Sequence, residues 1–435
     1  MTALAHLPAA LSCWILASHF LRRGQTGPAL ALALFPLLFL LRRAWTIRVA
    51  QAAMAWAIWI WADTAADFVG MRMALGLPWL RLALIMCAAM TLATLGAVAL
   101  EHASVRQRAS SGAAPALPPA AAFLLTLGLL GAVQSMVATP MLLLERFLPT
   151  GGWLEAMFLA VYAAELVRVM RSPRAAPRWR LRLWALFSAV FFAQLALGLA
   201  GAGVFLMTGR LHLPVPALVL AGPLYRGHGL FMLTLFLSTV ALIGPAWCSH
   251  LCYIGAWDGL AAASRKRPAP LPAWRQPARL ALAAVVLSAA PALHLAGVDT
   301  ATAVWLAAGF GLAGVAVMLT VTRRTGTMVH CTAWCPLGAV ATLLGRLHPF
   351  QVRMDDTCTG CGVCSTSCRY DALRPLDIEA RRPGPSCTLC GDCLASCPHR
   401  AMGYRFPGLT ASAARTLFLV LVVSLHAAFL GVARI

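Results

Sequence analysis

Eight cysteines between Cys358 and Cys397 form two ladders of the same spacing, Cys358-x2-Cys361-x2-Cys364-x3-Cys368 and Cys387-x2-Cys390-x2-Cys393-x3-Cys397-Pro398. Each cysteine of the second ladder lies 29 positions after its counterpart in the first, Cys387 after Cys358 and Cys397 after Cys368. Nothing else in the chain restricts its folding so tightly. Three thiols at i, i+3 and i+6 wrap one corner of an iron–sulfur cubane. The fourth ligand must come from elsewhere, and where two such runs occur the last cysteine of each serves the other cluster. The spacing predicts one [4Fe–4S] site from Cys358, Cys361, Cys364 and Cys397, and a second from Cys387, Cys390, Cys393 and Cys368. Gly362 and Gly391 follow the middle cysteines, where a residue without Cβ lets backbone N–H groups turn toward an anionic cluster. Structural zinc prefers isolated C-x2-C pairs with a longer spacer. Disulfides need an oxidising compartment and are poorly served by such close spacing.

The rest of the chain is apolar. Of 435 residues 60% are hydrophobic, 11% are charged and the mean hydropathy is +0.78, a membrane composition. The formal charge of +21 comes almost wholly from arginine, because Lys266 is the only lysine. The arginines cluster at the ends of apolar runs, as in cytoplasmic loops that meet anionic lipid, so nucleic acid is not expected as a partner. Runs long enough to span lie at about 3–21, 27–41, 49–70, 78–100, 120–144, 151–170, 183–207, 227–247, 278–297, 301–322 and 413–432. The expected architecture is an all-α polytopic membrane protein of about ten or eleven transmembrane helices, the second run being the shortest. A small α+β two-cluster ferredoxin domain stands on its cytoplasmic side. The first run lacks a basic start and reads as a span rather than a cleaved signal.

Charge sets the expected topology. Arg171, Arg174, Arg178, Arg180 and Arg182 follow one run, and Arg265, Lys266, Arg267, Arg275 and Arg279 follow another. Arg323 and Arg324 close the tenth, while the loop at 298–303 carries Asp299 and no basic residue. By the positive-inside rule the basic loops and the ferredoxin segment face the cytoplasm of a bacterial inner membrane. A reducing compartment also suits free thiolates. Arg22 and Arg23 against Arg42, Arg43 and Arg48 break this count at the amino end. The expected division is an amino-terminal helical region of unknown role (1–220), a transmembrane core (221–349), the ferredoxin segment (350–407) and a last membrane helix (408–435).

Four more cysteines repeat a second pattern. Trp247-Cys248-Ser-His-Leu-Cys252-Tyr-Ile-Gly255-Ala256 and His330-Cys331-Thr-Ala-Trp-Cys335-Pro336-Leu-Gly338-Ala339 are both C-x3-C-x2-G-A, and each follows an apolar run. On a helix, i and i+4 would put both thiols on one face. Facing pairs could hold a further cluster or a metal, or act as a dithiol relay. Cys13 and Cys87 sit alone in apolar runs and read as buried packing residues.

Two C-x3-C motifs on membrane helices, with a two-cluster segment after the second, resemble the NapH/NosR group of membrane ferredoxins over about 227–405. The cytochrome oxidase accessory proteins of the CcoG type share this layout. The resemblance implies a membrane electron carrier whose eight ladder cysteines are cluster ligands and whose Cys248, Cys252, Cys331 and Cys335 are redox cysteines. NapH-type members pass electrons from quinol toward periplasmic reductases, and NosR-type members support nitrous oxide reductase. The chain departs from the pattern in three places. Tyr253 stands where the family has proline, and Arg369 replaces the proline after the first ladder. Ser111-Gly112-Ala113-Ala114 lacks the threonine of a flavin acceptor motif. No flavin is expected.

Ionisable groups within spans are functional candidates. Asp63, Asp67, Glu155, Glu165 and Arg168 qualify, and Glu165 and Arg168, three apart, can pair. Arg210, His212, Tyr225, Arg226 and His228 are candidates for a quinol site. His19, His228, His294 and His426 offer haem ligands, but no two have a spacing that favours haem, which is not expected. Trp56, Trp59 and Trp61 suggest a lipid-facing belt. The reading is a membrane iron–sulfur protein relaying electrons between the quinol/quinone pool and an unidentified redox protein, with a quinol dehydrogenase-like role open. The alternative is a CcoG-like factor that reduces or handles copper through the C-x3-C thiols.

Overall fold

Backbone in a lipid core must satisfy its own N–H and C=O groups, so long apolar runs become helices. The computed structural model describes residues 2–41, 43–110, 116–206 and 213–432, and the side chains among them except at 2–5 and 102–110. Arg42, the 111–114 string, Arg210 and His212 lie outside the described residues. Helix dominates, and the chain divides into two compact units, Met1–Arg168 and Val169–Ile435.

The first unit contains α1 (Thr2–Arg22), α2 (Thr26–Leu34) with a 3-10 turn (Phe35–Leu41), α3 (Ala44–Ala74), α4 (Leu80–Ser110), α5 (Leu117–Met136), α6 (Leu143–Phe147) and most of α7 (Gly151–Met170). Its core gathers Trp45, Ile47, Met54, Leu100 and Phe123. Glu165 pairs with Arg168 at 2.7 Å and Arg43 at 3.3 Å, and accepts from the Trp45 indole. Cys13 is buried. Cys87, expected to be buried, is exposed on α4 beside the equally exposed Leu84 and Ile85. An apolar face of that kind suits lipid rather than protein. Trp56 and Trp59 are exposed, whereas Trp61 is buried against His19.

The second unit runs through α8 (Ala176–Leu199), α9 (Leu218–Arg226), α10 (Phe231–Ile243), α11 (Tyr253–Ala263), α12 (Arg275–Leu295), α13 (Thr300–Val317), α14 (Arg323–Thr325), α15 (Pro336–Leu344), β1 (Gln351–Met354), α16 (Pro375–Glu379), α17 (Asp392–Ser396), β2 (Met402–Arg405) and α18 (Ala411–Val432). Among the described residues, seven helices are long and apolar enough to cross a membrane. They are Leu80–Glu101, Leu117–Met136, Ala176–Leu199, Phe231–Leu251, Arg275–Leu295, Thr300–Thr325 and Ala411–Val432.

Two boundaries differ from the apolar runs. The run at 120–144 stops as helix at Met136, and Pro140 interrupts its remaining residues. The run at 183–207 begins as helix at Ala176, with Pro177 in the first turn, so Arg178, Arg180 and Arg182 are helical rather than in a loop. That helix belongs to the second unit.

β1 and β2 pair antiparallel, from Gln351↔Arg405 to Met354↔Met402, and close the ferredoxin segment at both ends. α18 stacks Phe418 on Tyr404 at 4.7 Å and against Phe350 at 5.6 Å. These contacts seat the sheet on a membrane helix.

Candidate metal centres

The ladders fold as their internal repeat suggests. Gly362 and Gly391 take left-handed backbone (φ 72° and 78°), each starting the short helical turn that carries the third cysteine. Cys358, Cys361, Cys364 and Cys397 line one cavity enclosing about 320 Å³ free of protein atoms. Cys393 lies within electrostatic reach of Cys390, Cys368 and Cys387. Burial pushes the Cys368, Cys387 and Cys390 thiols up to about 12. Thiols so placed stay protonated until a cation takes the proton's place, and a [4Fe–4S] cluster bound by four thiolates fits that donor set.

The C-x3-C pairs fold differently from a helical face. Trp247–Leu251 and His330–Trp334 are π-turns, closed by Cys252 N–H to Trp247 O (3.0 Å) and Cys335 N–H to His330 O (2.8 Å). Cys252 and Cys335 then leave the helix with nearly equal extended backbone, ψ 113° and 117°, and cap α11 and α15. The two thiols of a pair therefore share no α-helical face. All four cysteines nevertheless line a single cavity of about 290 Å³, together with Trp247, Gly255, His330, Leu337 and Gly338. A Cβ on Gly255 would stand 3.0 Å from Cys248 O, and one on Gly338 3.0 Å from Cys331 O. The glycine of C-x2-G is required because the first cysteine's carbonyl approaches so closely.

Residues that sequence reasoning passed over hold this chamber together. Asp258 of α11 is fully buried, accepts from Cys331 N–H at 2.9 Å and from the Thr322 hydroxyl at 2.7 Å, and so ties the first copy to the second. Burial raises its carboxyl to about 6. The Trp184 indole donates to Cys252 O at 2.7 Å.

Arg180 and Arg275, read from the sequence as topology markers, are almost wholly buried and dock the ferredoxin segment. Arg180 pairs with Asp392 at 2.6 Å and also donates to Ser249 O. Arg275 pairs with Asp371 at 3.1 Å. Arg369, in place of the expected proline, donates to the carbonyls of Ala262, Gly326 and Arg265.

Chamber and second ladder are in direct contact. The Ser249 hydroxyl, beside Cys248, donates to Thr388 O, beside Cys387, at 3.0 Å. Tyr370 is buried within electrostatic reach of both Cys331 and Cys390. Among the described residues, no three His, Cys, Asp or Glu side chains are placed to hold a metal ion. A lone tetrahedral ion needs its sulfurs about 2.3 Å from one point. In each of the two cavities four cysteines line one open space.

Of the other candidates, His426 meets the first C-x3-C turn, whereas Tyr225 and His294 pair with each other. Tyr225 donates to Val298 O, and its ring meets His294 at 6.2 Å. His294 lies at the opposite end of α12 from Arg275, roughly 30 Å away along a helix of this length. His228 is exposed, and His426 is buried against His250 O.

A protein-family model described as a 4Fe-4S binding domain matches residues 225–270 and 306–354. These segments carry all four C-x3-C cysteines and end before the first ladder. No curated protein and no solved structure matches the chain. The match supports an iron–sulfur family of ferredoxin type, and the seven apolar helices fit a membrane protein.

Proposed function

We propose that this chain is a polytopic inner-membrane iron–sulfur protein of NapH/NosR-like type. It relays electrons between the quinol/quinone pool and a redox protein, with the ferredoxin segment in the cytoplasm. Cys358, Cys361, Cys364 and Cys397 would hold one [4Fe–4S] cluster, and Cys387, Cys390, Cys393 and Cys368 the other. Each cubane supplies one-electron storage, so the pair can take both electrons of a quinol while its two protons leave to solvent.

The contact of Ser249 with Thr388 carries this reading, because it joins the four-cysteine chamber of the membrane core to the second ladder. Arg180 reinforces the joint by holding Ser249 O and Asp392 together. Buried among helices and paired with charge, these groups fix the ladder against the membrane core rather than leaving it tethered.

The test is an anaerobic titration of the purified protein with quinol and with quinone, monitored by EPR. Reduced-cubane signals should rise with quinol or fall with quinone. Signals indifferent to both would remove the quinol pool from the proposal. Copper(II) reduction by the pure protein, lost on Cys331→Ser and Cys335→Ser, would select the CcoG-like role instead.

A further inference from the structure

We propose that Cys248, Cys252, Cys331 and Cys335 ligate a third [4Fe–4S] cluster, held inside the membrane core by the two C-x3-C turns. The proposal rests on the reading of the chain as an iron–sulfur protein and adds a site to it. Three observations carry it. The four thiols line one cavity together, as Cys358, Cys361, Cys364 and Cys397 line another. Its four thiols, each no more than 9% exposed, are supplied in pairs by two turns of the same backbone shape. The family match to a 4Fe-4S binding domain falls on these two segments and on neither ladder.

The walls carry what an anionic cluster needs. Four thiolates around a [4Fe–4S]²⁺ core leave a net charge of about −2 to be offset in a site shut off from water. Arg279 meets that need. It is 3% exposed, its Nε has no partner, and among the described residues it has no carboxylate within ion-pair distance. Its guanidinium stands behind Gly338, which lines the chamber: a Cβ there would lie 3.0 Å from Arg279 Nη2 and 3.8 Å from Cys335 Cβ. Cys248, Cys331 and Cys335 all lie within its electrostatic reach.

A buried unpaired cation is costly unless an anion accompanies it. Without a cluster, Arg279 has no evident reason to be where it is. Trp247 adds a second donor, because it lines the chamber and its buried indole N–H has no partner. Cluster sulfides accept such N–H groups.

The two copies differ at one telling position. Gly255 of the first copy packs on Trp184 of α8, 2.5 Å from its ring for an added Cβ, whereas Gly338 of the second packs on Arg279 of α12. An apolar ring backs one lining glycine and a cation backs the other, which sets the cluster's charge against α12.

Iron and acid-labile sulfide, counted per chain on the full protein purified anaerobically, test the proposal. The expected count is about twelve irons, falling to about eight in Cys331→Ser/Cys335→Ser, with the two ladder signals kept in EPR and Mössbauer spectra. About eight irons in the unaltered protein overturns the third cluster. About ten overturns the cubane in favour of a binuclear cluster, and stoichiometric zinc or copper lost with the serine variant overturns iron at this site. Failure of the parent reading looks different, because Cys361→Ser and Cys393→Ser would then remove no iron. Should the serine variant lose all its iron, Arg279→Gln decides, since it keeps every ligand. Removing the cation should shift one cubane to a more negative potential and leave the other two unmoved. Three unmoved potentials would overturn the site.

Discussion

The ladder segment and the C-x3-C chamber bring four thiols together in opposite ways. Each ladder supplies three within seven residues and turns the chain through two left-handed residues, Gly360 and Gly362 in the first, Leu389 and Gly391 in the second. The chamber takes two thiols from each of two distant turns and depends on α8 and α12 to press those turns together through Trp184 and Arg279. A local motif survives small changes in packing; a site assembled by packing does not. The difference teaches where each should fail.

The largest expected effect is on the ladders. Cys393→Ser should remove about four irons and one cubane signal. Serine at Cys13, buried in the first unit, should remove none. Equal iron loss from both would break the comparison.

Next is the joint. Asp392→Ala strands the buried Arg180 and should cost about 3–5 kcal/mol, read as a lower thermal midpoint in detergent and earlier proteolysis of the 350–407 segment. An unchanged midpoint would mean that the ladder segment is merely tethered.

A smaller loss, about 1–3 kcal/mol, is expected for Gly255→Ala, whose Cβ would meet the Trp184 ring at 2.5 Å and Cys248 O at 3.0 Å. Gly128→Ala on α5, with nothing within 4 Å, serves as the contrasting variant and should not destabilise. Equal effects would show the chamber to be no tighter than a lipid-facing helix.

The smallest effect belongs to Glu165→Gln in the first unit. Its partners Arg43 and Arg168 are more than a third exposed, so the loss should be about 1 kcal/mol or less, with the iron count unchanged.

Much of this molecule could be read before it was folded. Apolar length foretold helix in every run, because lipid leaves backbone no other partner. Ladder spacing keeps the first three thiols of each run close, because so short a stretch of chain cannot spread them far, and Cys397 joins the first three in one cavity only through the fold. The C-x3-C repeat foretold a shared site but not its form. Alpha-helical spacing was the natural expectation, and the π-turns replaced it because the second cysteine of each pair leaves the helix to cap the next one. The run at 183–207 begins as helix earlier, at Ala176, with Arg178, Arg180 and Arg182 in its first turns. Arg180 and Arg275 looked like loop charges and proved to be buried ligands of Asp392 and Asp371. Nothing in local composition separates an arginine that meets lipid headgroups from one that meets a carboxylate 212 positions along the chain.

The sequence by itself therefore determined the elements and the chemistry: apolar helices, eight thiols in two ladders, and four more in a matched repeat. Only the tertiary structure decided what those four thiols enclose and what stands beside them. It set Asp258 between the two copies, Arg279 against the chamber wall and Ser249 on the second ladder. The physical reason is range. Hydropathy and spacing act over a few residues, whereas a buried charge finds its partner only when distant helices close around it.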